Sequence, residues 1–340
     1  MKAIRIHRHG AVDVLQVDDI PRPEPGSREI LVEIKAAAMN HLDLWVRKGI
    51  PGVPLPVILG SDGAGIVRQV GEKVTDYSVG EEVIVQPLTY CGICEFCQTG
   101  RENFCTSWGI LGENQNGTQA EWIVLPVQNV RPKPERLSWE EAASFALVGQ
   151  TAYMMLVRRA GIQKGETVLI WGATSGVGSM ATQIANAFEC RVIAVAGTPE
   201  KAELAGSLGA ETVINYHEQS VSESVKRITN GRGVDIVFDH VGTASWKASL
   251  GSLARGGRLV TCGATTGSRV ELDLRHLFYK QQTLMGSTMG DRASMDGILK
   301  LIAEGTVKPV LDRVFPFDEI QQAHQYMENN DQRGKIVLNP

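Results

Sequence analysis

The sequence predicts an α/β chain of two domains, a mostly β half followed by a half built on a doubly wound parallel sheet. Three observations carry that prediction. The 340 residues exceed what one hydrophobic core serves at about 150 residues per domain. Up to about Gly149 the chain reads as short strands broken by Gly and Pro, whereas from Lys164 apolar strands alternate with helix-length segments. A Gly-rich turn at 172–178 joins the first of those strands to the helical segment after it.

Residues 30–34 and 64–70 typify the first half. In the second, strands are expected at 167–171, 191–196, 212–214, 234–239, 258–262 and 283–286, the rhythm of a parallel sheet with crossover helices. Helices fill the gaps, as at 179–187 and at 200–208, where Gly209 serves as the C-cap. After about Thr288 a helix at 294–304 leads through Pro309 to a last strand at 335–338. That tail is too small for a core of its own and is expected to pack on the first half. The expected division is 1–148 with 289–340, and 149–288. There is no internal repeat.

Hydrophobic residues at 43% and charged residues at 21% describe a globular chain. The net charge is -4 with neither sign gathered into a block, so the electrostatic footprint of a nucleic-acid or lipid-surface binder is missing and a small-molecule partner is favoured. The first ten residues carry no apolar core of signal-peptide length, and the longest apolar runs fall far short of the ~20 residues of a spanning helix. A cytoplasmic chain without a membrane partner is expected. In a reducing compartment its six cysteines are thiols or metal ligands rather than disulfides.

Cys91, Cys94, Cys97 and Cys105 are spaced C-x2-C-x2-C-x7-C. Two-residue gaps turn successive sulfurs toward one point, and the longer loop brings in the fourth, which suits a tetrahedral thiolate site for Zn2+. A closed shell of four sulfurs leaves no open position, so this zinc is expected to be structural. The bacterial iron-sulfur spacing, with x3 before the last Cys and a Pro after it, does not match. Cys190 and Cys262 fit small core residues.

The turn after residues 167–171 reads Gly172-Ala-Thr-Ser-Gly-Val-Gly178 and opens a helix. Gly176-x-Gly178-x-x-Ala181 fits a dinucleotide fingerprint: glycines let the pyrophosphate approach the backbone, and the helix N-terminus, with Ser175 before it and Val177 within it, offers unpaired N–H groups. NAD-binding versions place an acid about 20 residues on. Here that region reads Val195-Ala-Gly-Thr-Pro-Glu-Lys201, with the Gly197 amide, Thr198 hydroxyl and Lys201 ammonium suited to a 2'-phosphate, so NADPH is favoured over NADH; the alternatives are that Glu200 reaches the ribose and that Lys201 is a solvated helix residue.

A four-cysteine lobe followed by this nucleotide-binding half resembles the medium-chain dehydrogenase/reductase superfamily, over nearly the whole chain. The resemblance implies a GroES-like β domain into which the C-terminal tail folds, a Rossmann domain, and an active site in the cleft between them. In the zinc alcohol dehydrogenases of that superfamily the catalytic metal is held by a Cys in an early Cys-x-x-Asp, by the His of a Gly-His-Glu, and by a Cys just before the nucleotide-binding half. The matching stretches here are Asn40-His-Leu-Asp43, Gly60-Ser-Asp62 and Leu147-Val-Gly-Gln-Thr-Ala-Tyr153. Asn40, Ser61 and Leu147 thus stand where two thiolates and an imidazole would be, and a catalytic zinc is not expected.

Alcohol oxidation needs a stabilised alkoxide, which the metal supplies as a Lewis acid. Hydride addition to a double bond conjugated to a carbonyl needs only donors for an enolate oxygen, and the Asn40 amide is one. Residues 137–143, 147–153 and 168–178 look most like acryloyl-CoA and crotonyl-CoA reductases. In carboxylating members CO2 is held by an Asn, a Phe-Glu pair and a His; Asn40 matches the first, while Ile110-Leu111 and Thr288 take the other places, so reduction without carboxylation is expected. The resemblance further implies that Thr151 contacts the nicotinamide amide, that Gly263 and Ala264 line the nicotinamide, that Tyr216 flanks the 2'-phosphate, and that Asn40 bonds the nicotinamide ribose, the substrate oxygen or both; Asp62 is a further catalytic candidate, or with His41 the basis of a different metal site. His41 fits a role at the pyrophosphate or in proton transfer, or a structural one. The reading is therefore an NADPH-dependent reductase of an enoyl thioester or enone. A quinone reductase, an alcohol or aldehyde dehydrogenase with an altered metal site, and a non-catalytic NADPH-binding protein are the alternatives. Relatives often form dimers or tetramers by joining sheets edge to edge, and 283–286 is the expected edge strand.

Overall fold

The computed structural model describes residues 1–340. The chain divides into two compact units, Met1–Leu147 with Pro309–Pro340, and Val148–Lys308.

The first unit is mostly β. Its main sheet runs Val130–Pro132, Glu82–Val85, Asp62–Val70, Glu29–Ala38, Lys335–Asn339, Leu311–Pro316, with Trp122–Pro126 also paired to Glu29–Ala38. Alternation along Glu29–Ala38 sends Ile30, Val32 and Ile34 to one face, where they meet Val67, Val83, Leu125 and Val130 in a buried cluster. The C-terminal tail contributes Phe315, Phe317, Ile320, Met327, Ile336 and Leu338 to a second cluster, with Ile4, Ile6, Met39 and Val46. Packing of the tail on the first half follows from those apolar faces, which have no other cover.

The second unit carries a six-stranded sheet ordered Thr212–Asn215, Arg191–Ala196, Thr167–Trp171, Val234–Asp239, Leu253–Thr261, Thr283–Gly286, with all neighbours parallel. The first strand in sequence is central, so the order reverses between Thr167–Trp171 and Val234–Asp239. The crevice at the carboxyl ends of those two strands is the place where such sheets bind ligands. Helix Gly176–Ala187 begins three residues earlier than expected, because Ser175 caps it by accepting from the Gly178 N–H at 3.1 Å.

The return to the first unit falls at Pro309, twenty residues beyond the boundary expected at 289. Helix Arg292–Glu304 belongs with the second unit: Ile298 packs on Gly149, Tyr153 covers Gly297, and Ser294 Oγ lies 3.6 Å from Met154 Sδ. Gly149 and Gly297 allow this approach, since a Cβ on either would fall 2.8 Å or less from the opposing side chain. Apolar spacing within the helix reveals that it is amphipathic but not which face of the chain receives it.

Candidate active site and metal lobe

The four cysteines of the lobe converge. Cys94 caps the short helix Glu95–Gln98, which carries Cys97, and a turn at Glu102–Phe104 delivers Cys105. Cys94 Sγ lies 3.5 Å from Cys97 Sγ, Cys105 Sγ 3.6 Å from Cys91 Sγ, and Cys91 Sγ 4.0 Å from Cys97 Sγ. A tetrahedral Zn2+ with sulfurs at about 2.3 Å requires sulfurs about 3.8 Å apart, so the donor set fits a structural zinc in both type and spacing. The Ile93 and Cys94 backbone N–H groups that point at Cys91 bring its thiol down to about 6. These are the donors that would support a metal-bound thiolate.

In the second unit, Gly172 takes a left-handed φ of 55°, and a Cβ there would meet His240 Nε2 at 2.9 Å. A Cβ on Gly178 would lie 2.1 Å from the Gly172 carbonyl oxygen. Only glycine fits either position, and the bare backbone they leave is the cradle a pyrophosphate needs at a helix N-terminus. The structure brings Gly172, Ser175, Gly176, Val177 and Gly178 to the carboxyl end of the central strand. His240 bridges this loop to residues 263–264: its Nε2 is 3.3 Å from Ser175 Oγ, its carbonyl 3.0 Å from the Cβ position of Gly263, and Ala264 packs under Gly242. At the end of the next strand, Thr198 caps helix Pro199–Ser207 by accepting from the Lys201 N–H at 3.3 Å. Gly197 lies against the Tyr216 ring, where a Cβ would come within 2.7 Å of the hydroxyl. A carboxylate side chain at 197 would therefore have to displace Tyr216, which is half exposed and lies against the His217 ring, tilted by 42° with centroids 4.2 Å apart. Thr151 comes from another element, helix Ala146–Tyr153; its hydroxyl is buried and has no partner within the chain. An orphaned hydroxyl and a glycine cradle are what a nicotinamide dinucleotide would satisfy, so these residues fit that cofactor.

The three positions that hold a catalytic metal in zinc alcohol dehydrogenases lie together in the first unit, knitted by a carboxylate. Asp62 is fully buried. Its Oδ1 accepts from the Leu147 backbone N–H at 2.7 Å, and its Oδ2 accepts from Asn40 Nδ2 at 2.9 Å and from Lys335 Nζ at 2.8 Å. Ser61 turns away to donate to the Leu111 carbonyl at 2.8 Å. Asn40, Leu147 and Lys335 offer no thiolate or imidazole here, and the one anionic donor, the Asp62 carboxylate, is already taken up by an amide, a backbone N–H and an ammonium that repels a cation, a poor match to the Cys and His donors of a Zn2+ site.

Behind this cluster Asp43, also buried, accepts from the Asn40 N–H at 2.7 Å and the Gly60 N–H at 2.9 Å, so it both closes the capping box of helix His41–Lys48 and ties the 60–62 segment to it. Burial pushes its carboxyl up to about 6. Burial, with the Lys335 charge second, lowers His41, which is half-buried on the same helix with its ring 6.4 Å from Trp45. On the inner face of that helix Arg47 is buried and pairs with Glu328 and with His324 Nδ1 at 3.3 Å.

Sequence reasoning did not find Lys335 or His240. A lysine opening a terminal strand carries no local signal of burial; its place comes from pairing. The antiparallel register sets Val337 against Ala38, and extending it two residues sets Lys335 against Asn40. His240 has a weak signal in retrospect, being the first residue beyond a central strand of a doubly wound sheet.

Residues 26–135 match the family model described as the alcohol dehydrogenase GroES-like domain, and residues 176–304 match that of the zinc-binding dehydrogenases. A solved structure of an NAD-dependent alcohol dehydrogenase superposes with a TM-score of 0.97 at 42% identity, covering 100% of both chains. The acryloyl-coenzyme A reductase of Metallosphaera sedula is 32% identical over 99% of each chain. The crotonyl-CoA carboxylase/reductase of Cereibacter sphaeroides is 32% identical over 97% of this chain and 85% of its own. With both domains matched in order and relatives aligned along its whole length, the chain belongs to the medium-chain dehydrogenase/reductase superfamily and is an oxidoreductase.

Proposed function

We propose that the chain is an NADPH-dependent reductase of a carbon-carbon double bond conjugated to a carbonyl, in an enoyl thioester or an enone, working without a catalytic metal. The observation that carries this reading is the Asn40, Asp62, Leu147 and Lys335 cluster, which fills the family's metal position with groups that hydrogen-bond instead of ligating. Its support among relatives is the pair of enoyl-CoA reductases aligned along the chain. Bound at the glycine loop, the cofactor would supply the hydride. The chain's own part is to receive charge: Asn40 gives one amide N–H to Asp62 and has a second to offer the acyl oxygen on which negative charge collects. Water serves as the proton source at the α-carbon, since no side chain stands out for that role. For the cofactor, the support is that strand Arg191–Ala196 ends on Ala196 and Gly197 with no acid at its tip, and that the Thr198 hydroxyl and the Lys201 ammonium follow, with Tyr216 alongside. Self-association belongs to the same reading: edge strand Thr283–Gly286 and the exposed Leu274, Phe278 and Tyr279 offer a face for a second copy.

A second reading is favoured by the 42% identical structure: alcohol oxidation, with a metal held by a rearranged site. Metal analysis separates the two, since the first expects one zinc per chain and the second two. The direct test follows NADPH consumption with acryloyl-CoA, crotonyl-CoA, enones, quinones and aldehydes. Turnover with the enoyl-CoAs or enones, reduced about 10²- to 10³-fold in kcat by Asn40→Ala, is the expected outcome. Turnover confined to alcohols or aldehydes and abolished by chelation would sink the proposal.

A further inference from the structure

We propose that Lys335 is a positioning residue that fixes which atom of the Asn40 carboxamide faces the substrate, a step that rests on the reductase reading for its catalytic meaning but not for its geometry. Lys335 follows Gly334, which takes a φ of 113°, and opens the final strand with its side chain buried. Its ammonium donates to Asn40 Oδ1 at 2.6 Å and to Asp62 Oδ2 at 2.8 Å, and Asn40 Nδ2 donates to the same Asp62 oxygen at 2.9 Å. The three groups close a triangle.

That triangle decides the amide's orientation twice over. An ammonium has donors only, so the amide atom facing it must be the oxygen; an ionised carboxylate has acceptors only, so the atom facing it must be the nitrogen. Both neighbours demand the same rotamer. The remaining Nδ2 hydrogen is the group's one uncommitted donor and the one available to an oxygen gaining negative charge. Without the ammonium Oδ1 has no partner, and Asp62 alone is left to select the rotamer. A flipped amide would then set a carbonyl oxygen against the substrate oxygen, turning attraction into repulsion. The ammonium also compensates Asp62, which would otherwise be a buried carboxylate held only by neutral donors.

The first measurement needs neither cofactor nor turnover. With asparagine labelled by ¹⁵N, the side-chain NH2 signals of Asn40 are identified by their loss in Asn40→Ala and compared between wild type and Lys335→Met. Because Asp62 loses its counter-charge in that variant and the fold could suffer, the double variant Lys335→Met with Asp62→Asn is measured beside it, and Lys335→Arg keeps the charge. We expect Lys335→Met to shift the two Asn40 amide proton signals and Lys335→Arg to bring them back toward their wild-type positions. Unchanged signals in both variants lacking Lys335 would overturn the proposal, whatever the enzyme reduces.

The second measurement is a double-mutant cycle on the reaction the wild type catalyses. Lys335→Met is expected to lower kcat about 10²-fold, with the KM for NADPH nearly unchanged, and to cost little more when Asn40 is already Ala. Additive losses would mean that Lys335 acts apart from Asn40 and would refute the positioning role. If the wild type reduces no enoyl-CoA or enone, the reductase reading fails alone, and the amide signals still decide the geometry.

Discussion

Thr151 is the simplest residue on which the cofactor reading can be tested. A buried hydroxyl without a partner costs stability, and exchange for an apolar group of the same shape is close to neutral or favourable. Thr151→Val is therefore expected to leave the unfolding temperature unchanged or slightly raised while weakening NADPH binding up to about tenfold, the worth of one hydrogen bond. Titration calorimetry beside a melting curve separates the two effects. Two other buried residues make stability depend on pH in opposite senses. Asp43 is raised from 3.8 to about 6, so between those values the folded chain holds a proton that the unfolded chain releases. Its contribution is present in acid and is lost as pH rises through about 6, by about 3 kcal/mol at most. His324 is lowered from 6.5 to about 3 by burial and then by Arg47, so its contribution is present above 6.5 and is lost as pH falls toward 3. The two slopes oppose each other in mild acid, so each is read as wild type minus variant in denaturant titrations. Asp43→Asn should remove the loss on raising the pH, and His324→Gln the loss on lowering it.

Among elements, the four-cysteine lobe has little apolar cover of its own. Cys97 and Cys105 are buried, but Ile93, Phe104 and Trp108 are exposed, so the segment between the 91 and 105 positions lacks a core that would hold it without a cross-link. Cys97→Ser should abolish bound zinc, measured by atomic emission, and make this lobe the first site of limited proteolysis. Retention of a full equivalent of zinc in that variant would exclude the four-sulfur site. Helix His41–Lys48 shows a different economy. Its N-terminal end is tied to the Asp62 and Lys335 cluster through Asn40 and to the 60–62 segment through Asp43, and its inner face carries the Arg47, His324 and Glu328 network, so one eight-residue helix links that cluster to the packing of the tail.

At the scale of the molecule, the two units have separate clusters of buried side chains, and each of the two expected ligands belongs to one unit: the zinc cysteines to the first, the glycine cradle to the second. Binding stabilises only what folds around the ligand, by about 2.7 kcal/mol at a hundredfold excess over Kd. Scanning calorimetry should accordingly show chelation lowering one transition and NADPH raising another; a single transition moved by both would mean that the units unfold together. No helix is long and apolar enough to cross a membrane.

The strand-helix alternation, the cysteine lobe and the glycine turn were legible in the sequence because each depends on residues close together in the chain. Period-2 and helical patterns reflect burial of one face, ligand spacing reflects the reach of a short loop, and Gly172 and Gly178 mark places where a Cβ has no room. That positions 40, 61 and 147 carry Asn, Ser and Leu rather than Cys or His was equally local. What only the tertiary structure decided was what occupies that space instead. Lys335 lies 295 positions from Asn40, and no pattern around either announces the other; strand register between Lys335–Asn339 and Glu29–Ala38 sets them opposite each other. The same holds for helix Arg292–Glu304, whose partner is chosen by the fit of Ile298 and Tyr153 on two glycines far apart in sequence. Sequence determined the elements and the chemistry available to them. Packing determined which charges meet, because Coulomb and hydrogen-bond terms act over a few ångströms and only the fold brings distant residues that close.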